Sequence, residues 1–271
     1  SLQFSGAETY DLTGNLTVGN ALTGNLTIDT GATLDVVNGS NYGIRLAGNW
    51  SNSGTFQARA GTVTFNGTTQ QTITTGGVGA GKLFNNLTLN NTGTDGTVND
   101  DIVISGNLDI DGTFMILDGQ LRLDTNNPNV NTGGIVAMGT SVSVTKGSGT
   151  WTFDGTTAAT YTASTQNIGI VSINKTDTVA PATNNKLTLE SSMTVDTLTI
   201  DGTVGSPDIL DLGSTGYTHT IANAGATATV LTVSGTLTPG TSTVKYSATN
   251  SAGNINVTTT TYNSLQFSGA E

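Results

Sequence analysis

Three-residue runs of apolar–polar–apolar character return about every eight to ten residues over much of this chain. Early ones are Leu16-Thr17-Val18, Leu26-Thr27-Ile28, Leu34-Asp35-Val36 and Ile44-Arg45-Leu46. Later ones include Val63-Thr64-Phe65, Leu87-Thr88-Leu89, Leu108-Asp109-Ile110 and Leu121-Arg122-Leu123, and Ile102-Val103-Ile104 keeps the pulse with an apolar middle residue. Alternation of period two marks a strand with one buried face. Between the runs sit Gly-Asn, Asn-Gly, Asp-Gly and Thr-Gly pairs, which supply the positive φ of sharp bends. Strands this short do not hold together as isolated hairpins; they become stable when stacked on equivalent strands. Composition agrees: 54 Thr, 27 Asn and 36 Gly fill 117 of 271 positions. These residues are poor helix formers. Gly without a three-residue period and only 4 Pro exclude collagen, and the absence of Cys excludes a disulfide scaffold.

The chain also repeats itself. Residues 1–8 read SLQFSGAE, and residues 264–271 read SLQFSGAE again. The simplest account is a tandem array of 263-residue period, with residues 264–271 overlapping the next copy. Three motif families recur inside the period in one cyclic order. The first is GTVTFNGTT (61–69), GTWTFDGTT (149–157) and STVKYSATN (242–250), aligning Phe65, Phe153 and Tyr246. The second is FNNLTLNN (84–91), IGIVSINK (168–175) and YNSLQFSG (262–269), aligning Leu89, Ile173 and Phe267. The third is GNLTIDTG (24–31), GNLDIDGT (106–113) and DTLTIDGT (196–203), aligning Ile28, Ile110 and Ile200.

A chain that bends this often, apolar side in, is expected to coil as a parallel β-helix, right-handed by the crossover rule. Coils of roughly 20–30 residues would give about nine to thirteen per period, each advancing about 4.8 Å. Thr suits the outer face of a pleated sheet, and Asn at repeated bends can stack in ladders. Residues 1–271 are thus expected to form a single continuous all-β solenoid segment. The competing architecture, three immunoglobulin-like sandwiches of about 90 residues, fits the super-repeat length. It fits the short pulse poorly and needs linkers that the sequence lacks.

Strings such as GNLTVGNALTGNLTIDTGATLDV (14–36) and LAGNWSNSGTFQARAGTVTFNG (46–67) resemble the repeat regions of bacterial surface β-solenoids, the autotransporter and filamentous-haemagglutinin-like adhesins. The resemblance implies an extracellular, cell-anchored fibre and carries over no catalytic residues.

The net charge of −11 and the eight dispersed bases Arg45, Arg59, Lys82, Arg122, Lys146, Lys175, Lys186 and Lys245 argue against nucleic acid or an anionic membrane as partner. No apolar run reaches the 18 residues a membrane helix needs. With no initiating Met and no signal peptide, the sequence reads as an excerpt of a longer chain.

Candidate chemistry is sparse. GGVGAGK (76–82) places Gly76, Gly81 and Lys82 at phosphate-loop spacing. Leu83 stands where Ser or Thr is needed, though, and a strand is expected where a helix should follow, so a flexible loop is the better reading. Asp109 and Asp111 share a strand face, with Asp29 and Asp201 equivalent to Asp111. A polysaccharide-cleaving β-helix would use aspartates around calcium, but the equivalent aspartates are about three coils apart. Asp100 and Asp101 are adjacent, and a solvated face or turn cap is expected. His219, the single histidine, is expected on an exposed strand face. Trp50, Trp151, Phe65, Phe153 and Tyr246 would form a sugar-stacking strip if outside, but at repeat-equivalent positions they are expected in the core. Nine Asn-X-Ser/Thr sequons, at Asn15, Asn25, Asn38, Asn49, Asn66, Asn86, Asn90, Asn174 and Asn256, permit glycosylation.

No catalytic, cofactor-binding or metal residue is assigned, and no enzyme activity is expected. The expected function is a structural repeat of a long extracellular or cell-surface fibre, with neighbouring repeats of itself as partner. The alternatives are an adhesin binding a glycan or protein on its outer face and a polysaccharide-degrading enzyme.

Overall fold

The computed structural model describes residues 1–20, 23–163, 166–177, 184–202, 207–224, 229–248 and 255–269. Thr249 and Asn250 of the first motif family, Thr203 of the third, and Ala270 and Glu271 of the second octapeptide lie outside the described residues. The chain is nearly all-β, its strands stacked in parallel as a β-solenoid of about ten turns. Parallel stacking excludes the sandwich alternative, whose strands would be antiparallel. The chain divides into two compact units: residues 1–132 with 137–147, and residues 133–136 with 148–271.

In the first unit, strands Leu2–Phe4, Leu26–Ile28, Trp50–Asn52, Gln71–Thr74 and Asp101–Ser105 stack in that order. A second face stacks Leu16–Val18, Ile44–Leu46, Thr62–Phe65, Asn86–Asn90 and Phe114–Arg122. A third stacks Thr9–Asp11, Thr33–Asp35 and Thr55–Gln57. Register keeps like on like. Val18, Leu46, Phe65, Leu89 and Ile116 form one inward column, all buried. Full burial of such a side chain is worth about 1.5–3 kcal/mol, so the column, rather than local propensity, holds each three-residue strand. Trp50, Phe56 and Phe84 cluster inside, with ring centroids 4.9, 5.3 and 6.0 Å apart.

The second unit has three faces too. One stacks Thr150–Phe153, Ile170–Ile173, Thr197–Ile200 and Leu231–Val233. Another stacks Ala159–Thr162, Lys186–Leu189, Ile209–Asp211 and Thr236–Thr238. The last stacks Thr194–Val195, Thr218–Ala224, Thr243–Ala248 and Ser264–Ser268.

Two devices fix the bends. Asn side chains reach along the stack to the next turn's backbone. Asn25 Oδ1 accepts from Asn49 N–H at 2.9 Å and Asn49 Oδ1 from Thr72 N–H at 2.8 Å. Asn86 and Asn107 do the same to Thr113 and Asn129. These bonds satisfy amide donors that the strands leave open at corners. Glycine fills the closest approaches: a Cβ on Gly54 would sit 2.3 Å from Asp29 O, and one on Gly235 2.4 Å from Asp201 O. Both follow a third-family strand by one turn and lie over its last isoleucine, Ile28 or Ile200, whose carbonyl accepts from their N–H.

Candidate functional site

The two octapeptide copies are the most informative surface. In the first unit, Leu2–Phe4 pairs with Leu26–Ile28 in the register Leu2 to Leu26, Gln3 to Thr27 and Phe4 to Ile28. Leu2 N–H donates to Asn25 O at 2.8 Å and Asp29 N–H to Phe4 O at 2.9 Å. Outside, Gln3 Nε2 donates to Asp29 Oδ2 at 2.7 Å. Inside, the Tyr10 ring packs 5.1 Å from Phe4. In the second unit, the same residues pair by the opposite edge, onto the preceding strand: Val244 to Leu265, Lys245 to Gln266 and Tyr246 to Phe267. Tyr246 is buried, stacked 5.9 Å from Phe267, while Leu265 and Phe267 are exposed.

The two half-ladders have complementary orders. The lower half sets a first-family strand (Val244, Tyr246) under the octapeptide strand; the upper half sets a third-family strand (Leu26, Ile28) over it. An unbroken example of the same order exists in the second unit. There Trp151 and Phe153 pair with Val171 and Ile173, which pair with Leu198 and Ile200. Thr62–Phe65 and Asn86–Asn90 repeat the first step, Val63 to Leu87 and Phe65 to Leu89. The second step differs there: Leu87 and Leu89 pass to Phe114 and Ile116, and Phe84 bridges to the third-family Ile110.

Polar groups inside the coil have structural tasks. Lys82 Nζ donates to Asn52 O at 3.0 Å and to Gly54 O at 2.6 Å, and its burial lowers its pKa. The loop around it is fastened further by Gly79 N–H donating to Asp109 Oδ2 at 2.8 Å. The phosphate-loop lysine is therefore a tether between turns, and the strand Asn86–Asn90 follows it. Lys175 does the same in the second unit. It is buried, donates to Gly133 O at 2.9 Å and to Asp154 O, and has its pKa pushed down to about 8 by desolvation, against the pull of Asp154 and Asp208. Asp208, fully buried, accepts from Lys175 N–H at 3.1 Å and is pushed up to about 6 by desolvation. Sequence reading missed both tethers; the one signal available is a lysine on an inward phase of the alternation.

His219 is buried rather than exposed. Its Nδ1 accepts from Met193 N–H at 3.3 Å, so Nε2 carries the proton and donates to Leu212 O at 2.9 Å. Burial lowers its pKa. Asp100 and Asp101 are likewise buried rather than on a solvated face, although Asp100 does cap its turn, its Oδ2 accepting from Gly96 N–H at 3.4 Å. Asp101 is paired with Arg122 at 3.0 Å, whereas Asp100 is raised by desolvation, with one carboxylate oxygen lacking a partner among the described residues. Leu108 and Ile110 are buried as expected, with Asp109 facing outward between them; the strand ends at Ile110, so Asp111 lies in the bend that follows and not on the strand face expected for it. Asp111 is raised by desolvation and by Asp109. Asp29 accepts from Gln3, and Asp201 from Gly202 N–H. Among the described residues no group of three or more His, Cys, Asp or Glu is placed to hold a metal ion. Trp50, Trp151, Phe65, Phe153 and Tyr246 are all buried, so none offers a sugar-stacking face. An apolar void beside His219, about 20 Å³, has room for about one water.

Among the described residues, Arg59 is held on Asp35, Arg122 on Asp101 and Asp124, and Lys186 on Asp211, beside the two lysine tethers. Set against protein-family models, curated proteins and solved structures, the chain matches none.

Proposed function

We propose that this chain is the structural repeat of a long extracellular fibre, in which one 263-residue period runs into the next through the octapeptide as a shared strand. One observation carries the reading: the octapeptide's two copies use opposite edges, and the two half-ladders add up to the unbroken ladder Thr150–Phe153, Ile170–Ile173, Thr197–Ile200. A single SLQF strand between Thr243–Ala248 and Leu26–Ile28 of the following period satisfies both sets of backbone partners. It also encloses a leucine and a phenylalanine, each worth about 1.5–3 kcal/mol when fully buried. Stability in such a stack is a sum of nearest-neighbour terms, so length adds by repetition alone. The acidic charge keeps such a fibre soluble. The resemblance of residues 14–36 and 46–67 to bacterial surface solenoids supports the extracellular setting.

The test is a two-period chain, residues 1–271 followed directly by residues 9–271. Its internal octapeptide is expected to resist amide hydrogen exchange as strongly as Ile170–Ile173 does. Exchange there as fast as in the terminal copies, with the periods unfolding independently, would reject the array.

A further inference from the structure

We propose that separate copies of this chain join by strand replacement: Ser264–Ser268 of one copy takes the seat of Leu2–Phe4 on Leu26–Ile28 of a second copy. The inference rests on the octapeptide being the seam of the array and adds the partner and the contact. The seat is already shown to accept this sequence, because Leu2, Gln3 and Phe4 occupy it. Leu265 would lie over Leu26, Gln266 over Thr27 and Phe267 over Ile28, with Gln266 reaching Asp29 as Gln3 does. The incoming strand is identical to the outgoing one, so nothing is lost on the Leu26–Ile28 side. The gain is on the other side: the replacing strand arrives already paired to Thr243–Ala248, and its exposed Leu265 and Phe267 become enclosed.

The competing geometry is addition, with Leu2–Phe4 of the second copy stacked on the outer edge of Ser264–Ser268. It would set a second-family strand on a second-family strand. Where the second unit shows the complete order, the strand above Ile170–Ile173 is the third-family Thr197–Ile200. Replacement reproduces that order, and addition breaks it.

Cysteine cross-linking separates the two, because the chain has no cysteine of its own. Residues 3, 27 and 266 all lie on the outward phase of their strands. Directly opposed residues on adjacent strands are about 4.8 Å apart, within disulfide reach. Full-length Gln266→Cys protein mixed with full-length Thr27→Cys protein is expected to give a covalent heterodimer under mild oxidation, at least tenfold above the yield with Gln3→Cys protein. Removing residues 1–8 from the Thr27→Cys partner should raise the yield further, since the seat is then empty. Removing residues 264–271 from the Gln266 parent, with the cysteine placed at Lys245, should abolish it. Preferred cross-linking of position 266 to position 3, or no dimer above the Lys245→Cys control, overturns the proposal. If the two-period chain shows a protected seam while separate copies do not cross-link, replacement alone fails and the array stands.

Discussion

Ser1–Ser5 and Ser264–Ser268 have one sequence and one extended conformation, yet Phe4 is 9% exposed and Phe267 is 53% exposed. Local propensity cannot account for the difference, because the local sequence is the same. What differs is the neighbouring turn. Phe4 has Ile28 over it and Tyr10 beside it; Phe267 has Tyr246 beneath it. The comparison shows that a strand of this solenoid has no burial of its own. Each copy has one adjacent turn, so the difference lies in what that turn and its corner supply: Ile28 and Tyr10 cover Phe4, whereas Tyr246 covers only part of Phe267.

The sharpest way to break that statement is to remove the same position where both edges are filled. Ile173 lies between Phe153 and Ile200 and is fully buried. Ile173→Ala is expected to destabilise the second unit by about 2–5 kcal/mol, read as a lower urea midpoint. The corresponding phenylalanine at the seam of the two-period chain, changed to Ala, should cost about 3–5 kcal/mol. A loss under about 1 kcal/mol at either place would mean that neighbouring turns do not supply the burial.

One-edged positions should fall below that. Phe4→Ala is expected to cost about 2–3 kcal/mol, since Phe4 is covered from one side and by Tyr10. Phe267→Ala should cost about 1 kcal/mol or less, because half of the ring is already in water. Equal losses for the two would contradict the comparison.

Much of this was legible in the sequence. The alternation of Leu26, Thr27 and Ile28 gives the strand and its buried face. The alignment of Phe65, Phe153 and Tyr246 gives core positions, all found buried. The three families were readable as repeats, but their stacking on successive turns was not; it shows in the pairs Phe65 with Leu89, Phe153 with Ile173 and Tyr246 with Phe267. Turn length is the missing quantity, and it varies because insertions such as residues 92–100 are accommodated at corners. Corners also hid the polar interior. His219, Asp100, Asp101, Lys82 and Lys175 read as surface residues by type. Where a coil bends, however, backbone N–H and C=O groups are left without strand partners, and an inward polar side chain meets that need at lower cost than an apolar one. His219, Lys175 and Asp100 thus break the usual burial ranking for one reason, Lys82 meets the same need while only half-buried, and Asp101 is buried on Arg122 instead.

The smallest effect tests the outer face of the same two strands. Gln3 donates to Asp29 at 2.7 Å across the turn, an exposed neutral-to-charged bond. Gln266 stands opposite Lys245, a donor that the amide oxygen rather than the amide nitrogen must face. Gln3→Ala is expected to lower stability by about 0.5 kcal/mol, near the lower end for a hydrogen bond, because water competes for both groups. Gln266→Ala should stay within about 0.5 kcal/mol of the parent, as exposed substitutions do. In the two-period chain the single seam glutamine has Lys245 on one side and Thr27 with Asp29 on the other. Its replacement by Ala should there cost more than Gln266→Ala and no less than Gln3→Ala. A seam glutamine as neutral as Gln266 would show that the outward bond to Asp29 is not carried across periods, even where the inward phenylalanine is.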